Sequence, residues 1–471
     1  MFSQPGRLIV VIFVVVSYFY WASISPLPAK VSKYADGYYQ LLGDSFLSGH
    51  VNVPVNPPSY FFKLPNPYDP NQNSKARGWC LYNGTNYTCS YLLHDLSFYK
   101  NKFYLYFGPL PVIAFYIPFK LLTNYYPSDT VGVLFFLSIG FIFQFALMIK
   151  IRNTFFSWLP ESWLLLAGIV LGIANNSSFL LVRSVFYEVA ISGAFCSISI
   201  AIYFLFNILT LNARVKDVLL FSLFLSFAVA SRAHFSLVCF LMTVLLSFYF
   251  VKKISSKRWP SIFLALFIPP VCVGFLLALY NVERYGSIFE FGQSYQLSSV
   301  MLSKSLFNIS NIFQNIKTGI YSYFFRPYFV SYSDRGYSLI KIPDKYILDH
   351  LAGVLSTAPI LLFFLSLPRL VYQQLKNNSE KVPLLYFLML LSVIPIFLIG
   401  FLCCLSGATQ RYVTDFIPYL LILSIVSFWI MASNEKNIMM PRLPKMLFVG
   451  LAAISIFVCF RHGLYVQVLA I

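Results

Sequence analysis

The stretch LIVVIFVVVSYFYWASI, residues 8–24, contains no charged residue and approaches the length of about 20 residues that a helix needs to cross a bilayer core. Arg7 precedes it, as in a secretory signal, but no small-residue cleavage site follows. Comparable apolar runs recur along the chain, in which 58% of the 471 residues are hydrophobic and 11% are charged. We therefore interpret residues 8–24 as the retained first helix of an all-α polytopic membrane protein.

Ten further apolar runs predict about eleven transmembrane helices in a single domain over residues 1–471. The runs cover residues 130–149, 163–181, 187–210, 216–231, 235–251, 260–281, 351–372, 383–402, 411–432 and 446–461. Two long outer loops, 25–128 and 282–350, separate the first helix, the helices over 130–281 and those over 351–461.

Basic residues gather in five of the predicted turns, and basic residues of short loops stay on the cytoplasmic side of a membrane. These turns lie around Lys150, Lys216, Lys253, Lys381 and Lys445. The amino terminus is therefore predicted to face inside and the carboxyl terminus outside. The formal net charge of +18 indicates this orientation rather than binding of nucleic acid.

The apolar stretch FYLYFGPLPVIAFYIPFKLL, residues 103–122, is not one of the eleven predicted transmembrane helices. Pro109, Pro111 and Pro118 interrupt helical hydrogen bonding, and a single crossing here moves every later basic turn to the outside. We predict a re-entrant or interfacial helix on the outer face, within the loop 25–128. The alternative is an ordinary span with a weak charge bias.

In the same loop, Cys80 and Cys89 enclose LYNGTNYT, which a disulfide is able to close in an oxidising outer compartment. The alternative is two free thiols. The other six cysteines lie in apolar runs, and no cysteine spacing is typical of metal ligands.

Charged residues lie at the predicted outer ends of the spans, where burying a charge is expensive and usually functional. They occur in LVRSVFYEVAI, ASRAHFSLV, YNVERYGSIFEFGQSYQL and GATQRYVTDFIPYL, and all fall on the same predicted face as Asp36 in YADGYYQLLGDSFLSGH, residues 34–50. Each arginine alone also fits a snorkelling interfacial residue. Arg411 and Asp415, four residues apart, also fit a local ion pair.

An outward cavity of acids, arginines and tyrosines suits a lipid-phosphate-linked sugar. Guanidinium groups bind phosphate oxygens bidentately. Aromatic rings stack on sugars or prenyl chains, and a carboxylate is able to take a proton from an attacking hydroxyl. These residue types together favour transfer of a sugar from a lipid phosphate.

The first helix, the Asp that opens DGYYQLLGDSFLSGH and the Pro-rich segment YFGPLPVIAFYIPF together resemble the GT-C superfamily of membrane glycosyltransferases. The resemblance implies eleven to thirteen spans, a polyprenyl-phosphate sugar donor and an outer active site with Asp36 as base or acceptor-positioning residue. Many relatives have a second acid after this Asp, where this chain has Gly37. A divalent metal, which some relatives use, is therefore left open here, with Asp44, Asp69 or Asp95 as substitutes for the second acid.

The resulting hypothesis is an inverting glycosyltransferase for hexose or pentose, in a bacterial inner membrane with a periplasm-facing site. Its partners are a lipid-linked sugar donor and a glycan, lipid or protein acceptor, with no nucleic acid. Asp36 is the predicted catalytic residue, although it also fits a helix cap. Predicted donor-phosphate ligands are Arg232, Arg411, Arg183 and Lys102, and predicted acceptor or positioning residues are Asp44, His94, Asp95, Glu290 and Asp415.

Two other functions fit a chain with many spans. A lipid or sugar transporter, such as a flippase, is expected to show paired repeats with interrupted helices, and the sequence has no such symmetry. A polysaccharide ligase or polymerase also uses lipid-linked sugars, but it places its long catalytic loop late in the chain. The loop 282–350 keeps that second alternative open.

Overall fold

The structure is a computed structural model. It describes residues 4–26, 29–33, 35, 37–57, 59–77, 79–82, 85–88, 94–298, 311–328, 340–343, 346–349, 351–376, 381–433 and 442–469.

Helices make up most of the described chain. In chain order they are α1 (Pro5–Ser23), α2 (Tyr38–Leu47), α3 (Pro70–Arg77), α4 (Ile117–Thr123), α5 (Asp129–Phe155), α6 (Glu161–Ile173), α7 (Ser177–Val182), α8 (Phe186–Thr210), α9 (Val215–Ser231), α10 (Phe235–Lys253), α11 (Trp259–Tyr285), α12 (Ile312–Ile320), α13 (Val354–Thr357), α14 (Leu367–Lys376), α15 (Val382–Cys404), α16 (Ile417–Ser433) and α17 (Arg442–Leu469).

The strands are short and pair two by two. Antiparallel pairs join β1 (Val31–Ser32) to β6 (Tyr126–Pro127), β2 (Trp79–Tyr82) to β3 (Thr85–Thr88), and β4 (Ser97–Tyr99) to β5 (Lys102–Tyr104), while β7 (Ile347–Asp349) runs parallel to β8 (Gly407–Thr409).

Among the described residues, eight helical segments are long and apolar enough to cross a membrane. They coincide with eight of the eleven predicted spans, so the chain is an all-α polytopic membrane protein. The other three predicted spans are shorter: α9, the segment Pro359–Gln373 and Ile417–Ala432 within α16.

Helix α8 lies at the centre of the bundle: 89% of the residues in an apolar 18-residue stretch of it are buried, against 22% for such a stretch of α11 and of the first part of α17. Helix α5 packs closely on α8 at Gly140, because a Cβ there would lie 2.3 Å from the ring of Phe195. The exposed apolar side chains of α11, including Phe275 and Leu276, place that helix at the edge of the bundle. In a bilayer this edge faces lipid.

The stretch 103–122 is helical only in its second half, since its first residues form β5. After Pro109 it makes a π-helical turn, Val112–Tyr116, and then α4. Pro118 lies in the first turn of α4, where a missing N–H is tolerated.

Both flanks of this stretch contact the short helix α2. The Tyr38 hydroxyl donates to the His94 carbonyl (3.1 Å), and Gln40 Nε2 donates to the Pro127 carbonyl (2.9 Å). Because Tyr38 and Gln40 are two residues apart, the stretch begins and ends at the same end of the bundle. Its placement relative to the membrane stays a prediction.

Two predicted segments differ from their prediction. Residues 351–372 are not one helix: α13 ends at Thr357, and a 3₁₀ helix, Pro359–Ser366, precedes α14. Pro359 explains this break, because proline disfavours helical conformation in the residue before it. The predicted loop 282–350 contains helix α12, which packs against α15.

A close backbone contact joins the Pro-rich segment to the end of α9. The Gly108 N–H donates to the Ser231 carbonyl (3.2 Å), and a Cβ on Gly108 would lie 1.9 Å from the Ala230 carbonyl oxygen. Only glycine fits this position without displacing backbone.

Candidate active site

Charged side chains from five separate segments meet where α8 and α10 begin and α9 ends. We call this group the charged cluster; it consists of Asp95, Arg183, Glu188, Arg232, His234, Asp349, Arg411 and Asp415. The sequence predicted that the charges at the outer ends of the spans converge, and six of these eight residues lie in the stretches named for that prediction. Asp95 was predicted as an acceptor or positioning residue in the first outer loop, and Asp349 was not singled out.

Arg232 and Asp415 form the innermost pair of the charged cluster. Arg232 Nη1 lies 2.5 Å from both carboxylate oxygens of Asp415, and the two side chains are 6% and 1% exposed. The guanidinium of Arg232 also lies over the ring of Tyr412, 4.9 Å from its centroid. A pair with this little solvent contact is strongly coupled, since removing one partner leaves the other charge buried.

His234 lies beside this pair. Its Nε2 is 3.4 Å from Asp415 Oδ2, and its ring stacks on Phe401 at a centroid distance of 5.3 Å. Burial and the positive charge of Arg232 lower the pKa of His234, against the smaller opposing effect of Asp415. We therefore expect a neutral imidazole at pH 7.

Arg411 pairs with Asp349 and not with Asp415, so the alternative of a local ion pair between Arg411 and Asp415 is wrong. Residues 410–415 form a 3₁₀ helix, in which side chains four apart do not share a face as they do in an α-helix. Arg411 Nη2 lies 3.1 Å from Asp349 Oδ2, and Arg183 Nη1 lies 3.1 Å from the same oxygen. Two arginines thus converge on one carboxylate oxygen.

The carboxylates of Glu188 and Asp349 favour the charged form of Arg411. Burial acts to lower its pKa, but the carboxylates of Glu188 and Asp349 raise the pKa above the usual arginine value. Arg411 Nη1 is 3.8 Å from Glu188 Oε1, and neither atom makes a hydrogen bond.

Asp95 faces the charged cluster from the start of β4. Its Oδ2 accepts a hydrogen bond from the Tyr187 hydroxyl, while its buried Oδ1 makes no hydrogen bond. The backbone of Asp95 is left-handed (φ 62°), and its N–H donates to the Leu297 carbonyl at 2.7 Å. His94 Nε2 lies 3.7 Å from Asp95 Oδ2. Aspartate adopts this conformation more readily than most residues, so it fits the turn that precedes β4.

Tyr106 and Tyr187 add aromatic groups to the charged cluster. Tyr106 interacts electrostatically with Asp95, Arg411 and Arg232. Burial, together with the charge of Asp95, raises the pKa of Tyr106 well above its usual value. Its hydroxyl therefore stays protonated and is able to donate a hydrogen bond to a ligand.

Three predicted site residues lie apart from the charged cluster. Glu290 accepts hydrogen bonds from the N–H groups of Gly292 (2.6 Å) and Ser294, so it holds a turn together. The carboxylate of Asp44 accepts the hydroxyl of Tyr126. Lys102 is exposed on β5, and within the described chain it makes no ion pair with the charged cluster.

Asp36, the predicted catalytic residue, lies outside the described residues, and so does Cys89, which leaves the predicted disulfide with Cys80 outside them too. The described neighbour Gly37 lies against Asp129, which the sequence did not single out. A Cβ on Gly37 would be 3.3 Å from Asp129 Oδ1, and the Tyr116 hydroxyl donates to the same oxygen at 3.0 Å. The carboxylate beside Gly37 thus comes from the start of α5.

Sequence signals exist for some of the missed residues. Asp129 stands directly before the predicted span 130–149, and Asp349 lies two residues before the predicted segment 351–372. Among the described residues, no group of three or more His, Cys, Asp or Glu side chains is arranged to hold a metal ion.

Fold and charged cluster together define a helical polytopic membrane protein with buried ion pairs at one end of its bundle. No protein-family model and no curated protein matches the chain. Among solved structures, it is similar to ArnT from Cupriavidus metallidurans bound to undecaprenyl phosphate, with 11% identity and a TM-score of 0.44 over 98% of this chain and 76% of that chain. The apo structure of the same protein gives 10% identity and a TM-score of 0.41, with 97% of this chain and 75% of that chain covered.

A second similar structure is the archaeal oligosaccharyltransferase AglB from Archaeoglobus fulgidus, in complex with an inhibitory peptide and a dolichol-phosphate. The identity is 12% and the TM-score 0.48, over 99% of this chain and 56% of that chain. This chain therefore spans little more than half the length of AglB. At these identities and scores the matches assign no family and no site residue to this chain.

Proposed function

We propose that the chain is a GT-C-type glycosyltransferase that moves a sugar from a polyprenyl-phosphate donor to an acceptor on the outer face of a membrane. The observation that carries this proposal is the convergence of Arg183 and Arg411 on one oxygen of Asp349, each at 3.1 Å. Two guanidinium groups at this separation are able to bind one anionic oxygen, and a phosphate presents such oxygens.

The side of the cluster that carries Asp349 is open to water. The side chains of Asp349 and Arg183 are 25% and 31% exposed, in contrast to 6% and 1% for Arg232 and Asp415. A donor phosphate is therefore expected to take the place of Asp349 on Arg183 and Arg411, while the Arg232–Asp415 pair stays buried behind it. Tyr106 and Tyr187 line the same region and offer aromatic faces to a sugar or prenyl unit.

In the proposed reaction an acceptor hydroxyl attacks the anomeric carbon of the donor. The bond between that carbon and the phosphate oxygen breaks, and the phosphate leaves with the electron pair, stabilised by Arg183 and Arg411. The hydroxyl proton passes to a carboxylate, for which the sequence predicts Asp36 and the structure offers Asp95. A single displacement of this kind inverts the anomeric centre.

The remaining predictions from the sequence form part of this proposal. The donor sugar is a hexose or pentose, the acceptor is a glycan, lipid or protein, and the protein lies in a bacterial inner membrane with the charged cluster facing the periplasm. The cluster at the predicted outer ends of the spans supports that orientation.

The test uses the purified full-length protein in lipid nanodiscs with undecaprenyl-phosphate-linked hexoses and pentoses. Membranes from cells that lack the protein supply the acceptor, and the readout is release of undecaprenyl phosphate. Release that depends on Arg411, and that Arg258→Lys at the opposite end of the bundle leaves intact, supports the proposal. Movement of the lipid across the bilayer without release of phosphate favours a transporter, and growth of a polymer on the lipid favours a polymerase.

A further inference from the structure

The side chain of Tyr187 lies between two charged groups of the cluster that come from distant parts of the chain. Its hydroxyl donates to Asp95 Oδ2, and the guanidinium of Arg411 lies over its ring, 4.2 Å from the centroid. One side chain thus contacts an acid at the start of β4 and an arginine directly after β8. Tyr187 was not singled out in the sequence analysis.

The position of the Tyr187 ring is fixed by its own neighbours. It lies in the first turn of α8, and the edge of the Phe107 ring meets it at a centroid distance of 5.8 Å. The next residue, Glu188, accepts the N–H of Val185 through Oε2 (3.3 Å) and so closes the start of the helix. A tyrosine held at a capped helix start, against a neighbouring ring, has little freedom to change its rotamer.

The two groups that Tyr187 contacts each retain a polar atom without a hydrogen bond, although Arg411 Nη1 lies 3.8 Å from Glu188 Oε1. Asp95 Oδ1 and Arg411 Nη1 are buried and make no hydrogen bond. Buried polar atoms are nearly always paired, so unpaired atoms in a native site indicate a place for a ligand or water. Asp95 Oδ1 is able only to accept while ionised, and Arg411 Nη1 only to donate.

These complementary atoms suit the two halves of the proposed reaction. An acceptor hydroxyl donates to Asp95 Oδ1, and a phosphate oxygen accepts from Arg411 Nη1. We propose that Tyr187 is a positioning residue that sets the acceptor-side carboxylate and the donor-side guanidinium relative to each other. Its hydroxyl holds Asp95, and its ring holds Arg411 through a cation–π contact. This inference rests on the proposed function.

Two substitutions separate the hydroxyl from the ring. Tyr187→Phe keeps the ring beneath Arg411 and removes the hydrogen bond to Asp95. We expect it to bind undecaprenyl phosphate within about twofold of wild type but to turn over roughly 10- to 100-fold more slowly, the range expected for a lost hydrogen bond to a charged group. Tyr187→Leu removes both contacts, so we expect lipid-phosphate binding to weaken as well, by roughly fivefold or more.

A matched control is available on the same helix. Tyr203 also lies beneath a cation, with Lys150 Nζ 4.3 Å from its ring centroid, but at the opposite end of α8. Tyr203→Phe is expected to leave both lipid-phosphate binding and turnover unchanged. Thermal unfolding of each variant accompanies these measurements.

A double-mutant cycle tests whether Tyr187 acts through Asp95. If it does, Tyr187→Phe slows turnover much less in an Asp95→Asn background than in wild type. Equal slowing in both backgrounds overturns the inference, as does a Tyr187→Phe protein with wild-type turnover.

The binding measurement distinguishes failure of this inference from failure of the proposed function. If the wild-type protein binds undecaprenyl phosphate but transfers no sugar, the proposed function fails. The role of the Tyr187 ring is then tested by the binding of undecaprenyl phosphate alone. Tyr187→Leu must bind more weakly than Tyr187→Phe. Equal binding by the two variants overturns the role of the ring, whether or not transfer is observed.

Discussion

Arg411 and Glu188 face each other across 3.8 Å in the interior of the protein, and the facing atoms, Nη1 and Oε1, make no hydrogen bond. This separation is too long for a hydrogen bond and short enough for strong attraction between the charges. Glu188 is fully buried, so its charge competes directly with any anion that approaches Arg411.

Glu188→Gln removes that competing charge and keeps an oxygen that is able to accept the Val185 N–H. We expect undecaprenyl phosphate to bind more tightly, by up to about tenfold, since one carboxylate no longer offsets Arg411. Titration of the lipid phosphate against protein in nanodiscs measures the change. Unchanged or weaker binding argues that the phosphate does not approach Arg411.

Replacing Arg183 or Arg411 is expected to separate charge from geometry. Alanine at either position is predicted to slow transfer on the order of a hundredfold, roughly 2 to 4 kcal/mol of transition-state stabilisation. Lysine keeps the charge but not the planar fork, so it is expected to restore only part of the rate. Arg258→Lys, whose parent side chain donates to the carbonyls of Asn212 and Ala213, serves as the control. Wild-type rates in every arginine variant contradict phosphate binding.

Asp36→Asn is predicted to abolish transfer while the protein inserts and folds normally. The asparagine keeps the size of the side chain, but it does not take up a proton from an acceptor hydroxyl. Asp44→Asn is the matched control, because the described partner of Asp44 is Tyr126 and not the charged cluster. An Asp36→Asn protein that expresses well and retains most of its activity refutes the assignment.

Cysteine labelling is expected to place both flanks of residues 103–122 on the outer side. Lys102→Cys and Tyr125→Cys are suitable because both side chains are exposed, whereas Ser97 and Ser128 are buried. An impermeant thiol reagent added outside should label both, above the background of the native cysteines. Lys257→Cys, in a predicted cytoplasmic turn, should react only after permeabilisation. If Tyr125→Cys behaves like Lys257→Cys, the stretch crosses the membrane.

His234 is expected to make stability depend on pH. Its pKa is lowered in the folded protein by burial and Arg232, so below about pH 6.5 the unfolded chain binds a proton that the folded chain resists. Stability from this group is therefore complete above about pH 6.5 and decreases as the pH falls, by at most about 1.4 kcal/mol per pH unit. Thermal unfolding between pH 5 and 8 should show a smaller decrease for His234→Gln than for wild type. Parallel curves for the two proteins exclude this role.

The sequence predicted the spans well where a long apolar run is itself sufficient for a helix. Helices α8, α10 and α15 begin and end close to the predicted residues, because length and hydrophobicity are local properties. The segment 351–372 is apolar throughout but broken at Pro359. Hydrophobicity identifies a membrane segment, while the backbone within it depends on proline and on packing against neighbours.

The charged cluster was predicted in part, for a related reason. Arg183, Arg232 and Arg411 were predicted from their positions at span ends, which the sequence shows. Their partners depend on which segments meet in three dimensions, so the sequence paired Arg411 with the nearby Asp415 and passed over Asp349. Lys102 and Glu290 also lie in the predicted outer loops, but in the structure both residues lie apart from the charged cluster.

The contact of Gly108 with Ala230 and Ser231 holds the backbone of the Pro-rich segment directly against the end of α9. Tyr106 precedes this contact by two residues, and Arg232 follows it directly. No side chain separates the two backbones. We therefore expect a ligand that displaces Tyr106 to shift Arg232 as well. Tyr106 and Arg232, the aromatic and the cationic side of the cluster, are thus expected to move together. Arg411 and Asp349, on the opposing side, belong to the second half of the chain.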